Sequence, residues 1–235
     1  MPGYIIHLTE VKIIFNILKA KNILKQKNLK EWFQDFSYGA LLPDAVRKSE
    51  KGKSHFWNER LEKNVIRIPE VNKYLSKYSD KINLPVFLGY LAHLDLDDKF
   101  WNQYISKTAI FLDDNKKITK EIGKIKTVFL KKTKSSILVE DFFSSEYLYG
   151  DYTKLNSKLI KKYNIFMPKY SEKYQGIIEE VNNKNMKNLF QKLERYIQYN
   201  IQNENELKVL SQKELEEFLE KTAKQFIEKY IKGKR

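Results

Sequence analysis

A chain of 235 residues is long enough to bury a hydrophobic core, and its 42% apolar and 14% aromatic content excludes intrinsic disorder despite a formal charge of +14. Because it contains no Cys, disulfides, thiolate zinc sites and a cysteine nucleophile are excluded, and any metal must sit on His and carboxylates. Only eight Gly and five Pro interrupt apolar spacings of mostly three and four, so the chain is predicted to be all-α.

In chain order, the first helix is expected from Glu10 to about Leu24, with Thr9 as its N-cap and a broad buried face. A second, from about Leu29 to Leu42, carries Trp32, Phe33, Phe36 and Tyr38 and ends at Pro43, which disfavours helix in the residue before it. Residues 44–68 lose the periodicity and are read as a charged loop. Short and long helices follow at Pro69 to Tyr78 and Val86 to about Ile105, the latter opened by Pro85. The Lys-rich segment 113–135 has no clear period, and Ser144–Asn156 is aromatic and turn-like. Two amphipathic helices close the chain, at about Glu172–Tyr199 and Gln212–Ile231, and Ser211 with Glu214 forms a capping-box signature before the last. There is no internal repeat and no long linker, so residues 1–235 are expected to form one domain. Its N-terminus carries no basic-then-apolar signal, and no stretch reaches the ~18–20 uncharged residues of a membrane span, so the expected location is the cytoplasm.

The chemistry concentrates early. His7, His55 and His93 all precede residue 94, and the helical period places Gly89, His93 and Asp97 on one stripe at i, i+4 and i+8. An imidazole and a carboxylate one turn apart can chelate a borderline cation such as Zn²⁺, with space beside Gly89. The same residues also suit a hydrogen-bonded core histidine and an Asp97–Lys99 pair. Asp95 is off this stripe by two residues and is not the candidate to orient or deprotonate an attacking water.

Four segments in order, Met1-Pro2-Gly3 with His7, Tyr38-Gly39-Ala40-Leu41-Leu42-Pro43-Asp44, Ser54-His55-Phe56-Trp57, and Phe87-Leu88-Gly89-Tyr90-Leu91-Ala92-His93 with Asp97, resemble the zinc-dependent phospholipase C family. That family includes the N-terminal domain of the glycosylphosphatidylinositol-specific phospholipase D and is structurally similar to the single-strand-specific zinc nucleases. The resemblance spans about residues 1–105 and implies a compact multi-helix fold with the metal site in that part and a basic helical half at 106–235. It further implies that His55, His93 and Asp97 hold one zinc, that Asp97 bridges to a second, and that His7 and Asp44 bind the second. In the family a free amino terminus joins the second zinc, a role open here to Pro2 if Met1 is removed. Asp44 also matches the carboxylate proposed to activate water. The family's third metal uses two further His and a Glu; no His follows His93, so one or two Zn²⁺ ions are expected and the third site is not.

The function implied is metal-dependent hydrolysis of a phosphodiester, with zinc lowering the pKa of water toward ~7 so that hydroxide attacks in line and Asp44 orients or deprotonates it. The substrate class is a phosphate ester, either a phospholipid headgroup or a nucleotide or nucleic acid, with peripheral membrane contact allowed and no obligate protein partner inferred. Two rivals remain: a non-catalytic basic module binding nucleic acid or anionic membrane, and a degenerate member keeping a structural metal. Net charge is +5 over residues 1–100 and +9 over 101–235, so most of the excess lies outside the expected site.

Overall fold

A computed structural model describes residues 2–24, 28–61, 63–181, 185–198 and 206–232. The chain is mostly helical, as its apolar spacing predicts, with one small sheet. Helix α1 runs Tyr4–Ala20, α2 Leu29–Gly39, α3 Lys51–Ser54, α4 Val71–Tyr78 and α5 Pro85–Lys99. A short α6, Ser106–Thr108, leads into strands β1 Ala109–Leu112, β2 Thr127–Leu130 and β3 Ser135–Leu138. Helices α7 Val139–Phe142, α8 Leu148–Tyr163, α9 Met186–Gln198 and α10 Gln212–Phe226 complete the order. No helix among the described residues is long and apolar enough to cross a membrane.

The core is built around α5, which is buried from Val86 through Asp97 and packs against α1, α2, α4 and α10. Pro85 starts it because the missing N–H falls where a helix has no acceptor to offer. Its expected continuation to Ile105 is present, but the last turn, Phe100–Ile105, widens into a π-helix that buries Phe100, Trp101, Tyr104 and Ile105. Helices α2 and α5 meet backbone to backbone at two glycines. A Cβ on Gly39 would lie 2.0 Å from the Val86 carbonyl oxygen, and one on Gly89 2.0 Å from that of Phe36. The missing side chain of Gly89 therefore admits helix α2, and the free space expected beside the ligands is not there.

Several boundaries move. Helix α1 starts at Tyr4, with Gly3 as an extended N-cap, and Thr9 lies inside it, its hydroxyl donating to the Ile5 carbonyl at 2.7 Å. The segment 44–68 is not a plain loop, since it contains 3-10 turns at Lys48–Glu50 and Glu59–Leu61 as well as α3. The Lys-rich segment 113–135 contains β2 and the first residue of β3 in an antiparallel sheet of order β1-β2-β3, with Ala109 opposite Leu130 and Leu130 opposite Ser135. Its alternating burial in β1 and β2 is the period-two pattern that Phe111, Val128 and Leu130 satisfy by facing inward.

The turn-like stretch 144–156 is largely helix α8. Asp151, which resembles a turn residue in sequence, instead accepts the backbone N–H groups of Lys208, Val209 and Leu210 at 3.0, 2.7 and 2.8 Å and pins the chain ahead of α10. Of the helix expected over 172–199, the structure has a 3-10 turn at Glu172–Tyr174 and then α9, while Tyr199 lies outside the described residues. Ser211 caps α10, accepting from the Glu214 N–H at 3.4 Å, but the reciprocal half of the capping box is replaced, since the Ser211 N–H donates to the Tyr104 hydroxyl at 3.4 Å.

Candidate metal centre

The three histidines and two aspartates picked out in sequence converge in one buried cluster. His7 comes from α1, Asp44 from the 3-10 turn Leu42–Asp44 after α2, His55 from the end of α3, and His93 and Asp97 from α5. All five are at most 6% exposed. Two overlapping groups, His55 with His93 and Asp97, and His7 with Asp44 and His93, each bring their ligand atoms within 4.8 Å of one another.

Packing decides which ring nitrogen faces the cluster. The glycine contact of α2 with α5 brings the Ala40 carbonyl within 2.8 Å of His93 Nδ1. A carbonyl only accepts, so Nδ1 carries the proton and Nε2 points inward. The same logic holds for His55, whose Nδ1 lies 3.1 Å from the Lys51 carbonyl and 3.0 Å from the Ser54 hydroxyl, itself donating to the Pro43 carbonyl at 2.8 Å. The two Nε2 atoms then face each other 3.2 Å apart. Two lone pairs in that position repel unless a cation, a proton or a metal, lies between them.

Asp97 sits across from both. Its Oδ2 is 3.5 Å from His93 Nε2 and 3.7 Å from His55 Nε2, and its Oδ1 is 3.5 Å from His7 Nε2. Neither oxygen has a hydrogen-bond partner, nor does either nitrogen of His7, whose ring stacks on His93 at 3.8 Å. Buried charge left this way is costly unless it is paired or coordinates a cation. Ligands on a tetrahedral ion with bonds of ~2.0–2.1 Å lie about 3.3 Å apart, which is the scale of these separations. The cluster can hold a metal ion, and its nitrogen and oxygen donors suit a borderline one.

For His7 and His55 the electrostatics agree with that fit. Burial, helped by His93, pushes the His7 imidazole down to about 4, and burial also lowers His55, so both are neutral lone-pair donors at pH 7. For His93 burial works against charge, but Asp97, Asp44 and the Ala40 carbonyl outweigh it and raise the imidazole. Although burial disfavours their charge, Asp97 is held well below the usual carboxylate range by His93 and His7, and Asp44 by His55, Lys51 and His93.

Lys51 is the member that the loop reading of 44–68 leaves out. Its ammonium lies 2.6 Å from Asp44 Oδ1, which is also 3.5 Å from His55 Nε2, and its carbonyl orients His55. The one signal in sequence is its spacing of four from His55. Asp95, placed off the stripe in sequence, faces away, paired with Lys99 at 2.5 Å and accepting from the Tyr230 hydroxyl at 3.2 Å. The partner of Lys99 is thus Asp95 and not Asp97. The possible amino-terminal ligand involves Met1, outside the described residues.

Asp44 and Lys51 also form part of the wall of an open cleft of about 1110 Å³ shared with Tyr4, Trp57, Trp101 and Tyr149. Of the aromatics at 147–152, Tyr152 is buried in the core and Tyr149 is half exposed on this cleft. Comparison with protein families, with characterised proteins and with solved structures gave no match to this chain.

Proposed function

We propose that the protein is a metal-dependent phosphoesterase that hydrolyses a phosphodiester, resembling the zinc-dependent phospholipases C. The observation that supports this most is the inward-facing pair of His55 and His93 Nε2 atoms, 3.2 Å apart, opposite an Asp97 carboxylate that no hydrogen bond satisfies. His55, His93 and Asp97 would hold the first zinc, and Asp97 Oδ1 with His7 and Asp44 would supply a second position. When bound, zinc supplies Lewis acidity toward a phosphate oxygen and lowers the pKa of water.

The chain's own residues do the rest. Asp44 lies where the buried cluster meets the cleft, which supports a role in accepting a hydrogen bond from an attacking water. Held far below the usual carboxylate range, it is a weak base, so its part is orientation more than proton removal. Lys51, beside it and partly exposed, offers a positive charge to the phosphate at the cleft wall. The buried floor of Tyr90 and Ser54, whose carbonyl accepts the Tyr90 hydroxyl, keeps α3 and its His55 fixed to α5.

The test is elemental analysis of the purified chain together with hydrolysis of bis(p-nitrophenyl) phosphate. One or two zinc ions per chain are expected, with turnover that His93→Ala abolishes. A folded protein that takes up no metal would refute the proposal. The burial of all five residues favours one other reading, a metal clip tying α1, α3 and α5 together; a zinc-loaded chain inactive on every phosphate ester would select it. Salt-dependent nucleic-acid binding unchanged in His55→Ala and His93→Ala would select a basic binding module instead.

A further inference from the structure

The cleft outside the metal cluster has a charge pattern of its own. Lys48, Lys51, Arg67 and Lys192 line it, and among its described lining residues Asp44 is the one carboxylate. Asp44 is already neutralised by Lys51 at 2.6 Å, which leaves Lys48, Arg67 and Lys192 with no opposing charge in the lining. A concave surface of one sign concentrates its field on whatever enters.

Two details argue against a cationic ligand. An aromatic face is the usual seat for a quaternary ammonium, but the Trp57 ring already has the Arg67 guanidinium 4.9 Å from its centroid. Lys48, Arg67 and Lys192 on the same lining would repel a second cation. We propose that the cleft is a subsite for a second negative charge on the substrate, so that the preferred phosphate ester is a bisphosphate or a phosphorylated headgroup, not a choline ester. The inference rests on the phosphoesterase reading for the place of the scissile phosphate, while the selection by charge belongs to the cleft itself.

The test measures binding to the zinc-loaded full chain by calorimetry at about 50 mM salt, where surface fields are weakly screened. Fructose 1,6-bisphosphate, glycerol 3-phosphate and phosphocholine share one phosphate monoester and differ in the charge at the other end. Affinity is expected to fall in that order, by about tenfold or more from first to last. Arg67→Gln combined with Lys192→Gln should erase the order with metal content unchanged. Lys213→Gln combined with Lys221→Gln, which lowers net charge equally on α10, should keep it.

Phosphocholine binding as tightly as the bisphosphate, or an order that survives in the Arg67/Lys192 variant, would overturn the subsite. Repeating the comparison with phosphatidylinositol bisphosphate in mixed micelles separates the sources of this chemistry. Tighter binding to the micelle assigns a lipid and tighter binding to the free ester a soluble metabolite, and both support the subsite. A zinc-loaded protein that obeys the charge order but cleaves no diester would remove the phosphoesterase reading and leave the subsite. One that cleaves diesters while its binding ignores their charge would overturn the subsite alone.

Discussion

Helices α1 and α5 each contribute to two buried polar clusters, whose aspartates have opposite character. Toward α10 lie Glu10 and Asp95, the latter satisfied by Lys99 at 2.5 Å and the Tyr230 hydroxyl at 3.2 Å. Toward α3 lie His7, His93 and Asp97, where both Asp97 oxygens and both His7 nitrogens lack hydrogen bonds. Asp95 and Asp97 are equally buried and two residues apart, so burial does not separate them. Partners do. A carboxylate given a lysine and a phenol is part of the scaffold, whereas one given only imidazole nitrogens is prepared for a cation.

Removing a ligand from the unsatisfied cluster is the strongest way to test this contrast. His93→Ala should lower zinc affinity by about 100-fold or more and remove hydrolysis, read by elemental analysis and turnover. Zinc should also raise the melting temperature of the wild type and not of this variant, because an ion bound only to the folded state stabilises it, by about 4 kcal/mol at 1,000 times its Kd. At the satisfied Asp95 the expected outcome is reversed. Asp95→Asn should leave zinc binding intact but cost about 3 kcal/mol in denaturant unfolding, since it strands the Lys99 ammonium. Equal loss of metal in both variants would erase the distinction.

Glu10 sharpens the comparison through pH. Burial, helped by Asp95, pushes its carboxyl up to about 8 from an ordinary 4.5, and its Oε1 has no partner. The folded state therefore holds a proton that the unfolded chain releases between those values. Its stabilising contribution is complete below pH 4.5 and is lost as pH rises toward 8. Glu10→Gln should remove that dependence, so the variant's advantage over the wild type grows across this window to on the order of 5 kcal/mol. Parallel stability curves for the two proteins from pH 5 to 8 would contradict it.

The smallest effect concerns Lys51. Two divalent ions beside its ammonium would place a net charge of about +3 in the cluster, counting neutral imidazoles and ionised Asp44 and Asp97, and like charges at such range repel strongly. Lys51→Met should strengthen binding of a second zinc by about tenfold while leaving the first unchanged, as followed by a zinc titration. Identical stoichiometry and affinities in the two proteins would show that the ammonium moves aside at no cost.

The stripe of His93 and Asp97 was readable because a continuous apolar helix obeys a period of 3.6, and α5 is such a helix with a proline to start it. The joining of His7, Asp44 and His55 to that stripe was readable only through the family resemblance, since they are separated in sequence by 37 and 11 positions. The sheet at 109–138 was missed because its strands are four residues each, too short to establish a period against their Lys-rich turns. Helix α8 was missed because its first turns hold Gly150 and Asp151, which read locally as turn residues but serve close packing and a clamp on a distant segment.

Local pattern was sufficient for a mostly helical chain, for the face of α5 that bears His93 and Asp97, and for the cap at Ser211, because each depends on residues within a few positions of one another. The inward Nε2 atoms and the engagement of Asp44 by Lys51 were decided by tertiary structure. They depend on which carbonyl reaches which nitrogen, and that follows from two glycines letting α2 and α5 close to backbone contact.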